Sequence, residues 1–93
     1  IDSYVVNDDY RLIEAIVPEI MTEQTIDKID LEKNFDLKLI AIKRPLKKIT
    51  NAFIKEKQYE IIEVIQEDLM IQSDDLFLLF GKIKDFQRFW KLF

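Results

Sequence analysis

Ninety-three residues suit one compact domain, and 48% hydrophobic residues can fill its core. With no cysteine or histidine, the chain lacks a disulfide framework, a zinc site of Cys/His type, a thiol nucleophile and an imidazole base. Its net charge of −4 argues against polymeric nucleic acid as a partner, its single glycine excludes glycine-rich phosphate loops, and no apolar run approaches the roughly 20 residues of a membrane span.

Residues 1–9 begin on Ile1 and end in Asn7-Asp8-Asp9. They read as a linker from a preceding domain, with a short strand over Tyr4–Val6. In "YRLIEAIV" (10–17), Leu12, Glu14 and Ile16 alternate with Ile13, Ala15 and Val17, and Pro18 ends the run. Period-two alternation predicts a half-buried strand.

"TIDKIDLEKNF" (25–35) predicts helix, with Ile26 and Ile29 on one face and Leu31 and Phe35 four apart. Thr25 and Asp30 both suit an N-cap, which allows one turn followed by a short helix. "LKLIAIK" (37–43) and "EIIEVIQ" (60–66) predict strands, joined by a wet, lysine-rich segment opened by Pro45. Ser73–Asp75 predicts a turn. The apolar "LFLLFG" (76–81) predicts a strand buried on both faces and ended by Gly81.

The closing "KIKDFQRFWKLF" (82–93) sets Ile83, Phe86, Phe89, Trp90 and Phe93 on one stripe of a helix. The stripe is more often core than interface, yet so many aromatics in a small chain also lead us to expect a homodimer. The fold class expected is α+β: a β-α-β-β-β-α sandwich, with a small, mostly antiparallel sheet and helices packed on it.

The charges are segregated. Residues 1–37 carry ten acids and three bases, and residues 58–81 carry six acids and no base. Between them, Lys38, Lys43, Arg44, Lys47, Lys48, Lys55 and Lys57 form a basic island broken only by Glu56. Like-signed charges add their fields, so the island attracts anions. On charge alone, a solvated loop that keeps strand edges from pairing is the commoner reading. Adjacent carboxylates at Asp8/Asp9, Glu67/Asp68 and Asp74/Asp75 read as turn residues without a catalytic partner, and no alternating acidic loop suits calcium. No enzymatic activity, metal or cofactor is expected.

Three stretches in order resemble one family. "YRLIEAIVPEIMTEQTIDKIDL" (10–31) resembles its opening strand, proline and threonine-led helix. "EKNFDLKLIAIKR" (32–44) resembles its helix-to-strand turn, and "MIQSDDLFLLFGKIKDFQRF" (70–89) its closing strand and helix. The family is the TrkA-C domain, also called the RCK C-terminal domain, and the closest resemblance is to the gating subunit of Ktr-type potassium uptake systems. Departures are Glu32 where relatives often carry arginine, Asp36 in a turn that often holds glycine, Gln66 for a proline, and Asp74 for a glycine.

The resemblance implies a cytoplasmic regulatory domain, residues 10–93, peripheral to the membrane through a potassium-transporting subunit. It implies a homodimer that binds a cyclic dinucleotide, cyclic di-AMP, between two protomers. By position, Ile26, Asp27 and Ile29 would wall the base, Asp30 matches a family aspartate, and Lys38 falls at a polar position facing the ligand. The charge map adds Lys43, Arg44 and Lys47 as phosphate partners that compensate for Glu32. Two alternatives stay open: a dimerisation module without ligand, and the same domain in another cation transporter or antiporter, sensing a different anion.

Overall fold

The computed structural model describes residues 3–46 and 58–93. Five strands are formed: β1 (Ser3–Val5), β2 (Tyr10–Ile16), β3 (Lys38–Pro45), β4 (Tyr59–Ile62) and β5 (Leu76–Lys82). They make one sheet in the order β1-β2-β5-β3-β4, antiparallel at every neighbouring pair. The helices are α1 (Ile26–Ile29), α2 (Leu31–Phe35) and α3 (Ile83–Trp90), with a 3-10 turn at Glu19–Met21. The domain is α+β.

Alternation decides which face of the sheet is covered. Ile13 and Ala15 of β2, Ile42 of β3 and Phe77 and Leu79 of β5 are buried on one face, where they meet Ile29, Leu31, Phe86 and Phe89 of the helices. The β2 alternation expected from sequence is the one observed. Strand β5 departs from expectation. It is not buried on both faces: Phe77, Leu79 and Gly81 are buried, while Leu76, Leu78, Phe80 and Lys82 are half-buried. Helices cover a single face, as is common for an antiparallel sheet.

Gly81 does not end the strand. It lies within β5, where a Cβ would stand 2.5 Å from Leu37 Cδ2, so glycine admits the close approach of the α2–β3 turn. The strand runs on to Lys82, which caps α3 directly. Within the expected stripe, Phe86 and Phe89 are fully buried but Trp90 and Phe93 are exposed. The fourth strand is shorter than predicted. Its ladder with β3 ends at the Ile42–Ile62 pair, just before the register shift between Leu39 and Ala41 in the pairing of β3 with β5. The N-terminal strand begins one residue earlier than predicted and pairs with β2 through Tyr4 and Leu12.

Residues 25–35 form two short helices. Asp30 separates them in the left-handed conformation (φ 38°) and caps the second by accepting from the Lys33 amide at 3.2 Å. Aspartate tolerates this backbone because its short side chain bonds locally. Among the described residues no helix is long and apolar enough to cross a membrane.

Candidate functional site: a carboxylate-rimmed groove and the fate of the cations

The corner between α1 and α2 faces the start of β3 and the connector that follows β4. The connector is held by the backbone. Ile26 N donates to Leu69 O at 3.0 Å and Asp27 N donates to Glu67 O at 2.9 Å. Farther along, Thr25 and Met70 form a bridge, and Ile71 N donates to Gln24 O at 2.9 Å. The first amides of α1 are engaged by these bonds, so they do not point at a ligand.

A groove of about 340 Å³ results, lined by Ile26, Asp27, Asp30, Leu31, Glu32, Leu39, Ile65 and Glu67. Its volume falls within the range of about 300–1,000 Å³ typical of small-molecule sites. Ile26, Leu31, Leu39 and Ile65 give it an apolar floor, and four carboxylates stand around it. Carboxylates accept hydrogen bonds from amino groups and repel phosphate. Thr25 Oγ1 donates to Asp27 Oδ1 and orients that side chain.

Of the residues expected from sequence, Ile26, Asp27 and Asp30 come together in this groove. Ile29, one turn along α1, does not join them; it is buried in the core. The expected convergence of cations on the same site does not occur. Lys38 precedes Leu39 on β3, and successive strand residues point to opposite faces. Leu39 lines the groove, and Lys38 stands on the far face beside Phe80. Lys43 is also on the far face. Its Nζ lies 3.4 Å from Glu14 and 4.9 Å from the centre of the Tyr59 ring. Lys47 lies outside the described residues, as do Lys48, Lys55 and Lys57.

Arg44 is engaged elsewhere. Its Nε donates to Asp75 Oδ1 and its Nη2 to Asp75 Oδ2, each at 2.9 Å, and Nη2 also reaches Met70 O at 2.9 Å. Asp75 is fully buried and also accepts from Gln72 N at 2.9 Å. The hydrogen bond to Asp75 raises the guanidinium above its ordinary pKa, against an opposing effect of burial. Asp75 is therefore no solvated turn residue. A fork of two parallel bonds, closed by a carbonyl and an amide, ties the end of β3 to the connector and the start of β5.

Sequence reasoning missed Asp75, Glu14, Leu31, Leu39, Ile65 and Glu67. One signal was present: Asp75 immediately precedes a wholly apolar strand, and Arg44 ends another, so a long-range pair at the strand ends was available. Nothing local marks Ile65 or Glu67, because only the pairing of the connector with residues 24–27 brings them to α1. No protein-family model matches the chain, and no curated protein matches it.

Proposed function

We propose that this chain is a dimerising regulatory domain of RCK C-terminal (TrkA-C) type, which acts on a potassium-transporting membrane subunit from the cytosol and takes cyclic di-AMP in the α1–α2 groove. The observation that supports this reading is the gathering of Ile26, Asp27 and Asp30 over an apolar floor. Adenine suits such a wall. Its ring buries on Ile26, Leu31, Leu39 and Ile65, and its exocyclic amino group donates to a carboxylate. The reading needs no covalent chemistry. A ligand moves a gate only through different affinity for its two states, so binding would change how two protomers sit together.

A second reading is favoured by the charges: a dimerisation module without an anion ligand. Four carboxylates rim the groove, Arg44 is held by Asp75, and Lys43 is paired with Glu14. A dinucleotide would have to draw its phosphate partners from outside the groove.

Calorimetric titration with cyclic di-AMP, using ATP and cyclic AMP as controls, separates the two. One molecule bound per dimer, lost in Ile26→Glu, is the outcome expected of the sensing domain. Absence of heat with all three nucleotides, from a chain that is dimeric, would leave the dimerisation module.

A further inference from the structure

The groove has a charge that nothing around it offsets. Asp27 lines it from α1, Asp30 from the corner, Glu32 from α2 and Glu67 from the connector, and no base lines it. Lys28 and Lys33, the cations of α1 and α2, stand outside it. Lys43, Arg44 and Arg88 pair with acids elsewhere. Among the described residues, the side chains of Glu32 and Glu67 make no ion pair. Asp27 and Asp30 accept from neutral donors, the Thr25 hydroxyl and the Lys33 amide. Like-signed charges add their fields, so the groove draws cations and repels phosphate.

Two observations set the kind of cation. First, the carboxylates are spread. Asp27 and Glu67 belong to one contact, where Asp27 N donates to Glu67 O at 2.9 Å. Asp30 and Glu32 flank Leu31 at the head of α2. Among the described residues no group of three acidic side chains could hold a metal ion. Magnesium and calcium need several oxygens aimed at one point.

Second, the floor is apolar. Ile26, Leu31, Leu39 and Ile65 lie among the carboxylates. A hydrated metal ion would leave that surface bare. A methylene chain covers it, as the stem of a lysine side chain does on a protein surface.

We propose that the groove binds an aliphatic polyamine. Its methylenes lie on the apolar floor and its ammonium groups donate to carboxylates of α1, α2 and the connector. An ammonium group has three donors and no acceptor, so it matches carboxylates and forms charge-assisted bonds with them. A monoamine would engage one side of the groove only. This ligand class rests on the second reading above, a module without an anion ligand, and gives the same groove a cation instead. A bound polyamine would tie α1, α2 and the connector together and raise the melting temperature with its concentration.

Calorimetric titration of the intact chain at one low ionic strength tests this, because salt screens exposed charges. Spermidine is the probe. Butylamine supplies one ammonium group, and magnesium chloride supplies charge without methylenes. Spermidine should bind once per chain, at least about tenfold more tightly than either control. Glu32→Gln and Glu67→Gln should each weaken spermidine binding about tenfold, and together about 100-fold. Both residues are exposed, so these variants should fold, as circular dichroism checks. Glu63→Gln makes the same charge change at an exposed position outside the groove and should leave the affinity unchanged. Spermidine binding no tighter than magnesium, or weakened equally by Glu63→Gln, would overturn the proposal.

The spermidine titration decides the polyamine site, and the cyclic di-AMP titration decides the reading beneath it. Silence of both ligands overturns the polyamine site and leaves a module without an anion ligand. Heat from cyclic di-AMP that is lost in Ile26→Glu overturns that reading, whatever spermidine does.

Discussion

Arg44 and Asp75, 31 residues apart in the chain, form a two-bonded ion pair in which the carboxylate is fully buried. The pair is bonded further to Met70 O and Gln72 N, so four hydrogen bonds gather the end of β3, the connector and the start of β5. The two cations and proline that close β3 thus have divided roles. Lys43 crosses the open face to Glu14, Arg44 clamps the connector, and Pro45 pairs with Tyr59 beside the edge.

Removing one member of this pair leaves the other charge without its partner. Arg44→Ala and Asp75→Ala should each cost about 3–5 kcal/mol. Arg44→Lys should recover only part of this, because an ammonium cannot make the planar fork. The double variant Arg44→Met/Asp75→Leu should lie far closer to wild type than either single truncation. Urea denaturation followed by circular dichroism reads all four. If Arg44→Ala matched wild type, the clamp would have no structural role.

The pH dependence follows from the direction of the Arg44 shift. Its folded pKa is raised above the unfolded value, chiefly by the hydrogen bond to Asp75. The stabilisation is therefore complete below the unfolded value and is lost only as pH rises through the still higher folded value. Urea midpoints for wild type and for the double variant Arg44→Met/Asp75→Leu, which leaves no unpaired buried charge, should differ by a constant amount between about pH 6 and about pH 10. A difference that shrinks across that window would mean that Arg44 is not the group responsible.

Gly81→Ala places a methyl 2.5 Å from Leu37 Cδ2 and 3.4 Å from Asp36 O. Leu37 is itself fully buried, so its side chain must shift within the core. Overpacking of this kind costs about 1–3 kcal/mol. Thermal melting should show the loss as a drop of several degrees, at about 4–8 °C per kcal/mol for a domain near this size.

Asp30 combines a left-handed backbone with an N-cap. Asp30→Ala should cost about 1–2 kcal/mol, since it removes the cap and leaves an unfavourable φ, whereas Asp30→Gly should cost a few tenths. Equilibrium unfolding of both variants checks the ranking. Both variants lose the carboxylate cap, so reversal of the order would show that the left-handed backbone at residue 30 does not set the cost.

Glu32 is exposed on the rim of the groove. Glu32→Arg would replace a carboxylate with a group that binds phosphate in a fork. If the groove takes cyclic di-AMP, affinity measured by calorimetry should rise about tenfold or more. Unchanged affinity would place the phosphates away from this rim.

Local pattern carried a great deal of the fold. The alternation in β2, the apolar runs of β3 and β5, the capping aspartate before α2 and the amphipathic closing helix each involve neighbours within a few residues. Physical preference at that range can be read from order alone. The wall of Ile26, Asp27 and Ile29 rests on the family resemblance, not on local pattern, and the structure keeps Ile26 and Asp27 at the groove with Asp30 while Ile29 turns into the core.

The charges and the surfaces were decided only by the tertiary structure. The basic island suggested one anion site, yet the alternation of β3, shifted by one residue at the irregularity between Leu39 and Ala41, sends Lys38 and Lys43 to one face and Arg44 to the other. Antiparallel order β1-β2-β5-β3-β4 then brings each of the last two to an acid from a distant segment. The groove has the same origin, because Ile65 and Glu67 reach α1 through backbone bonds to a far connector. Sequence alone determined which segments are strands and helices and which of their residues are apolar. It did not determine which charges meet, because electrostatic pairing depends on distances through space, and strand order sets those distances.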